Sequence, residues 1–496
     1  MVDIPLEIWF NIAHFIPAQD LLRLMSLNRV FFYVAMDIRY KGVTIPTKTG
    51  TESKQLLTRL SDPFVSSRVR HLSLVLYAKP QSMVPNPGRF MYLRTTHGQQ
   101  SITDTVMFFR LGQQISPTHP QSPDFEDLLG EFIAGSSDFS NINGFTIKTW
   151  YMPSAYNLSA IYSSIWSAFG SKLQKLCLEG NLEHYRLLVD SRPSLPVLKE
   201  LNIDFDRNSF HHGRIANNAL SDIITFLNGL SSHLEVLRIR SWFALDISDL
   251  LAPLPIFPKL VHLEVNVTFM SCRDPAGLQN FIYHLSHTVR KINLRINPSQ
   301  SFVNSLAFQP STRWFLTCVE DDECFSQLRT IDIYLIPTIG NGLMDIAAAF
   351  IRRASSSLGE LGIHERNLSE DDAMLLIDAL SGCTTIRSLH LSVLNITIEL
   401  IDKLASSTPG LQRLWISVEG AFDNAEAEGG HATFLRELQT RSYPDWKLED
   451  LSVMQNKFRL REVNHDTMMA FSRSIPSLFS FFGNGHIDRT ATSGDI

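Results

Sequence analysis

Long apolar runs are missing from this chain, and so are most of the marks that would assign it to an enzyme class or a secreted scaffold. No stretch approaches the roughly 18 consecutive apolar residues that a membrane-spanning helix requires. The opening residues, MVDIPLEIWF, place Asp3 and Glu7 where a signal peptide carries positive charge. Cysteine is scarce, with five in 496 residues, at positions 177, 272, 318, 324 and 383. An odd and scattered set argues against a disulfide framework and for a reducing compartment, cytoplasmic or nuclear. Charge of one sign is also lacking. A net −6 over the whole chain offers no electrostatic footprint for nucleic acid.

Catalytic signatures are absent too. There is no H-E-x-x-H, no G-x-S-x-G elbow, no phosphate-binding loop and no dinucleotide fingerprint. His211 and His212 are adjacent in a polar stretch, a spacing that rarely lets two rings share a metal. Cys318 and Cys324 bracket VEDDE without a second pair at zinc-site spacing. The acids at 321–323 and 370–372 read as solvated charge and as a helix start. The expectation is a protein that is not an enzyme and needs no cofactor or metal.

What the chain does have is a repeat. Hydrophobic residues make up 44% and charged residues 19%, the balance of an ordered protein. From residue 69 one pattern returns: apolar, two residues, apolar, one residue, apolar. It reads VRHLSL from Val69, INGFTI from Ile142, LQKLCL from Leu173 and LKELNI from Leu198. It continues from Leu234, Leu260, Val289, Leu328, Leu358, Ile386, Leu411 and Leu448, with a decayed copy at Leu478. The starts from Ile142 to Leu448 fall about 31 residues apart on average. Between them lie amphipathic helices, such as SEDDAMLLIDALSGC (369–383), with Ser369 as N-cap and three acids in the first turn. Helices are also expected over 220–230, 343–354 and 396–410. A short strand plus a helix cannot bury its apolar face alone, so stacked copies form a curved α/β solenoid of about 12 leucine-rich repeats. A proline-rich stretch, 77–123, breaks the rhythm and reads as a flexible insertion; 483–496 reads as a polar tail.

The first 40 residues have another texture. Pro5 suits a first helical turn and Glu7 complements its positive end. Ile8, Ile12, Phe15 and Ile16 share one face, and Pro17 ends the helix. Asp20 opens a second helix carrying Leu21, Leu24 and Leu27; Asn28 caps a third through Phe31 and Ala35. Modules this small rarely stand without help. Either the trio caps the solenoid or a second protein covers it.

The segment IPLEIWFNIAHFIPAQDLLRLMSLNRVFFYVA resembles an F-box. Ile4 stands for the usual Leu, Pro5 and Glu7 match, and Ile8, Ile12 and Ile16 fill the apolar positions. Asp20, Leu21, Leu24 and the basic Arg29 match; Leu27 replaces a frequent Val and Phe31 a common Trp, while Asn28 departs from the usual Cys or Ser. With the repeats behind it, the chain is similar to F-box leucine-rich-repeat proteins of the fungal type. That resemblance implies an F-box (1–45), a linking helix (46–68) and a solenoid (69–482). It also implies a substrate receptor of an SCF-type ubiquitin ligase, docking a Skp1-type adaptor and through it a cullin, with the repeats holding a protein target. The implied adaptor contacts are Ile4, Pro5, Ile8, Ile12, Leu21, Leu24, Leu27 and Phe31. The alternative is an interaction scaffold with no ubiquitin role, whose F-box-like helices only cap the repeats.

Within each repeat strand the residues between the motif's apolar positions point away from the core. These include Arg238, Arg240, Arg295, Tyr334, His364, His390 and Trp415, together with Glu264, Asn266, Asn293, Asp332 and Met454. Tyr, Trp, Met and Arg are enriched at protein interfaces, so a protein target fits this surface better than nucleic acid. The three arginines, if neighbours, could read an acidic or phosphorylated motif.

Overall fold

The structure, a computed structural model, describes residues 5–46, 50–77, 130–135, 139, 141–152, 156–190, 194–205, 217–244, 248–269, 276–298, 324–334, 342–364, 367–419, 430–455, 461–462 and 465–481. Ile4, the polar tail and all but the first residue of the expected insertion lie outside them.

Three helices come first: α1 (Leu6–Phe15), α2 (Ala18–Leu24) and α3 (Arg29–Tyr40). Asn28 caps α3 as expected, its side chain accepting from the Phe31 backbone N–H at 2.8 Å. The second helix starts two residues ahead of Asp20, because Pro17 (φ −53°, ψ 140°) already has the geometry of an N-cap.

A strand then opens the solenoid, β1 (Gly42–Pro46), followed by α4 (Gly50–Leu60), α5 (Pro63–Ser66) and β2 (His71–Tyr77). The next strands are β3 (Gly144–Tyr151), β4 (Lys175–Gly180), β5 (Glu200–Phe205), β6 (Val236–Ala244), β7 (His262–Phe269) and β8 (Lys291–Pro298). Then come β9 (Thr330–Tyr334), β10 (Glu360–His364), β11 (Ser388–Val393), β12 (Arg413–Val418) and β13 (Asp450–Gln455). Each of these pairs in parallel with the one before, in chain order. Two short strands share the last edge of β13, β14 (Arg461–Glu462) antiparallel and β15 (Ser480–Phe481) parallel. Every expected repeat start therefore leads into a strand, including the decayed copy at Leu478. Among the described residues two strands were missed: β1, whose repeat begins on Tyr40, an aromatic residue still inside α3, and the two-residue β14.

Register explains why the motif is needed. Its second apolar position forms one unbroken row from Val43 through Leu72, Phe145 and Leu176 to Leu414 and Leu451, and all of these are buried. At about 1.5–3 kcal/mol for each fully buried side chain, the row and the helices packed on it supply the core. At the entry to each strand one carbonyl accepts two N–H groups from the following repeat, as Arg290 does from Arg329 and Thr330. Helices such as Glu370–Leu380, capped by Ser369, and Ile398–Ser407, capped by Thr397, return the chain on the far side. Strands sit about 4.8 Å apart while packed helices need about 10 Å. A strip with strands on one side and helices on the other must bend, leaving the sheet face concave.

Candidate functional site

The helical trio has a core of its own. Ala13, Leu21, Val30, Phe31, Val34 and Ala35 form a cluster distinct from the long solenoid core, ringed by Trp9, Ile16, Leu22, Leu24 and Met25. Trp9 meets Phe31 edge to face at 5.4 Å. Of the residues the F-box resemblance assigns to an adaptor, Leu21 and Phe31 are consumed in this core, and Leu24 is half-buried against it. Their apolar surface is already spent on holding the helices together, so they position the face rather than form it. The other described members of the set, Pro5, Ile8, Ile12 and Leu27, point outward. Pro5 is exposed, Ile8 is 47% exposed, Ile12 37% and Leu27 67%. Phe15, absent from the expected contacts, is 88% exposed. Its spacing from Ile8 and Ile12 (i, i+4, i+7) marked it as one stripe in the sequence.

A compact joint fixes the trio to the first repeat. Phe32 of α3 stacks on Phe64 of α5 at 5.9 Å. The Arg68 guanidinium lies 3.7 Å over the Phe64 ring and pairs with Asp37 of α3 at 2.8 Å.

The sheet face divides into two zones. In the first, charges close on one another across strands. Glu179 pairs with Lys148 at 2.9 Å and accepts from the Trp150 indole N–H at 3.1 Å. Glu200 pairs with Lys175 at 2.8 Å and also meets Arg238. Glu264, buried, lies 3.3 Å from Arg238 and takes a two-pronged contact from Arg240 at 2.7 and 3.1 Å. Burial opposes ionisation of Glu200, yet Lys175 and Arg238 hold its carboxyl below the usual range. Arg238 and Arg240 are thus neighbours, but their forks are occupied by carboxylates of this chain. Arg295 sits on β8 in register with Asn266 and Tyr334. On the same face, burial, then Glu179, pushes the Cys177 thiol up to about 12, which keeps it protonated near pH 7.

The second zone is aromatic. Tyr334 stacks on His364 at 4.4 Å and 21°. His364 meets His390 edge to face at 4.2 Å and 84°, and His390 stacks on Trp415 at 5.3 Å and 27°. Two stacked pairs therefore stand at right angles across β9 to β12. Gly362 makes the corner possible. It is the register partner of both Asp332 and His390, and a Cβ there would lie 2.3 Å from Asp332 Oδ1 and 2.5 Å from His364 Nε2. Into that space His364 turns, with its Nε2 3.4 Å from Asp332 Oδ1. Burial, followed by the charge of His364, lowers His390 to about 3, so its ring is neutral near pH 7. Burial works against Asp332 ionising, but the contact with His364 outweighs it and its pKa is lowered. Among the described residues no group of three or more His, Cys, Asp or Glu side chains is arranged to hold a metal ion, this corner included. Nor is any described helix long and apolar enough to cross a membrane.

No protein-family model matches the chain, and no curated protein matches it either. Among solved structures it is similar to the Rad7 and Elc1 complex in yeast, at 13% identity and TM-score 0.42, over 93% of this chain and 97% of that one. It is also similar to the leucine-rich-repeat protein LegL7 from Legionella pneumophila, at 12% identity and TM-score 0.38, over 80% and 97%. A third is an internalin from Listeria monocytogenes str. 4b F2365, at 14% identity and TM-score 0.33, over 70% and 82%. The F-box resemblance therefore rests on the residues themselves.

Proposed function

We propose that this chain is a non-catalytic substrate receptor, with an F-box-like trio that docks a Skp1-type adaptor and a repeat face that holds a protein target. One observation carries the reading. The trio closes its own small core and still presents Ile8, Ile12, Phe15 and Leu27 to solvent. A solenoid cap would bury such residues against the repeats, whereas an adaptor-binding module leaves them for its partner. Holding adaptor and target in one complex raises their effective concentration, so the chain itself needs no bond-making group. Through the adaptor a cullin would supply the ubiquitin-transfer machinery.

The test is co-purification of the full chain with a Skp1-type adaptor, alongside the double variant Ile12→Asp, Leu27→Asp. The expected result is a 1:1 complex with the wild type, lost in the variant while its thermal unfolding is unchanged. A well-folded wild-type chain that leaves the adaptor unbound would return the trio to the role of cap.

A further inference from the structure

The cations of the sheet face are not equally engaged. From β4 to β7 they are closed by carboxylates of this chain: Lys199 meets Glu235 at 2.8 Å, and Arg240 meets Glu264 at 2.7 Å. A ligand there must first break such pairs. The aromatic zone is closed as well, since Asp332 is paired with His364, and Glu360 with Arg413 on the strand of Trp415. Between these zones, where β8 and β9 begin, three cations stand without a carboxylate.

Lys291 is the first residue of β8, Arg290 precedes it, and Arg329 holds the place of Arg290 one repeat further on. The Arg290 carbonyl accepts the Arg329 N–H at 2.7 Å, which sets the two arginines side by side. Both are exposed, and Lys291 is half-buried. Among the described residues none of the three forms an ion pair or a side-chain hydrogen bond. The carboxylates around them, Glu235, Glu264, Asp332 and Glu360, all pair elsewhere. Two buried polar atoms beside Lys291 are also unmet. His262 is its register neighbour on β7. Burial, then the charges of Arg238 and Lys291, lowers His262 to about 4, so the ring is neutral near pH 7. Arg238 can only donate, so at 3.4 Å it faces an accepting Nδ1. The ring proton therefore sits on Nε2, a buried donor with no acceptor. Asn293, buried two residues along β8, leaves its Oδ1 without a donor. Orphans of this kind cost free energy until something supplies their partners.

We infer that Arg290, Lys291 and Arg329, with His262 and Asn293 beside them, form the target-docking subsite and that it takes an acidic, carboxylate-bearing segment of a protein. A peptide brings both kinds of missing group: carboxylates for the cations and the His262 N–H, and backbone N–H groups for Asn293 Oδ1. The flexible four-carbon stem of Lys291 can swing aside as its ammonium meets a carboxylate, which opens the way to the two covered atoms. A phosphate dianion fits less well, because Glu264 and Asp332 stand on the same strands β7 and β9 and repel a second negative charge. The inference rests on the receptor reading for its biological setting and names the chemistry of the target. The polarity is the one the sequence suggested, but the residues differ, since Arg238 and Arg240 are occupied.

The experiment pans a phage-displayed library of random dodecapeptides on the immobilised full chain. Selected sequences are expected to be rich in Asp and Glu, although the net −6 of the chain works against them. A synthetic copy should lose binding when its acids become Asn and Gln, and should bind more weakly as salt is raised. Two variants locate the site: Lys291→Met keeps the stem and removes the charge, and Arg290→Gln with Arg329→Gln removes the flanking pair. Each should weaken the peptide about tenfold or more, with the thermal midpoint as the control for folding. Lys447→Met, at an exposed position just ahead of β13, should leave binding unchanged. Basic or uncharged selections overturn the inference, as does a peptide that binds wild type and both site variants equally, or a wild type that selects nothing. A peptide that binds only when a serine in it is phosphorylated also overturns it. So does binding gained only when Glu320, Asp321, Asp322 and Glu323 are changed to amides, which would give the patch to the chain's own acids. Adaptor co-purification on the same preparations separates the two proposals. Adaptor binding without acidic-peptide selection removes the subsite alone. Acidic-peptide selection without adaptor binding keeps the subsite and removes the ligase setting.

Discussion

At the scale of single residues, His390 and His262 couple the sheet face to pH. Burial and the charge of His364 lower His390 to about 3; burial, Arg238 and Lys291 lower His262 to about 4. Both start from an ordinary value of 6.5. Below that value the unfolded chain takes up protons that the folded chain refuses, so their contribution to stability is complete above pH 6.5 and is lost as pH falls toward 4. The unfolding midpoint is therefore expected to drop through this window, and His390→Asn should flatten the drop. An unchanged slope in the variant would show that this ring is not held neutral. The residues of the corner were legible as outward-facing, because the motif alternates. Their meeting was not, since it depends on register across repeats of unequal length and on the space that Gly362 leaves. The carboxylates that occupy Arg238 and Arg240 were hidden for the same reason: Glu200 and Glu264 are 38 and 24 to 26 positions away in the chain.

At the scale of elements, the trio and its joint act separately. Leu21 is a core residue, so Leu21→Ala should destabilise the trio by about 2–5 kcal/mol. Ile8→Asp and Phe15→Asp lie on the exposed stripe and should change stability by no more than about 0.5 kcal/mol. Chemical denaturation followed by the fluorescence of Trp9, in a chain whose other tryptophans are replaced, distinguishes the two classes. Arg68 works at the joint. Arg68→Ala removes the ion pair to Asp37 and the layer over Phe64, and is expected to speed amide exchange in the second half of α3 while leaving the repeat strands protected. Equal exchange in wild type and variant would mean that the two parts are not held by this contact. The sequence showed the helices and the Asn28 cap clearly, through spacing and a local side chain. It did not show which apolar positions the trio would keep for itself, because Leu21 and Leu27 occupy equivalent places in the pattern and only packing separates them.

At the scale of the molecule, the parallel strands β1 to β13 follow one another in chain order and share one core, and the rows of buried residues link each described repeat to its neighbours. A defect in the middle should therefore be felt throughout. Leu263→Ala, in the central row, is expected to cost about 2–5 kcal/mol and to lower the urea midpoint of the whole solenoid. The architecture was legible because each copy repeats the same apolar signature. Its beginning was not, because Tyr40, Val43 and Ile45 carry the pattern on residues that overlap a helix. The trio stands outside this continuous core, and its unfilled apolar face is the centre of the account. Hydrogen–deuterium exchange of the full chain, with and without a Skp1-type adaptor, tests that most directly. The account predicts that α1 and the turn at 25–28 exchange faster than the repeat strands in the free chain and become protected when the adaptor is added, with the repeat strands unchanged. A free chain in which α1 is already as protected as the repeat strands, and gains nothing from the adaptor, would contradict it.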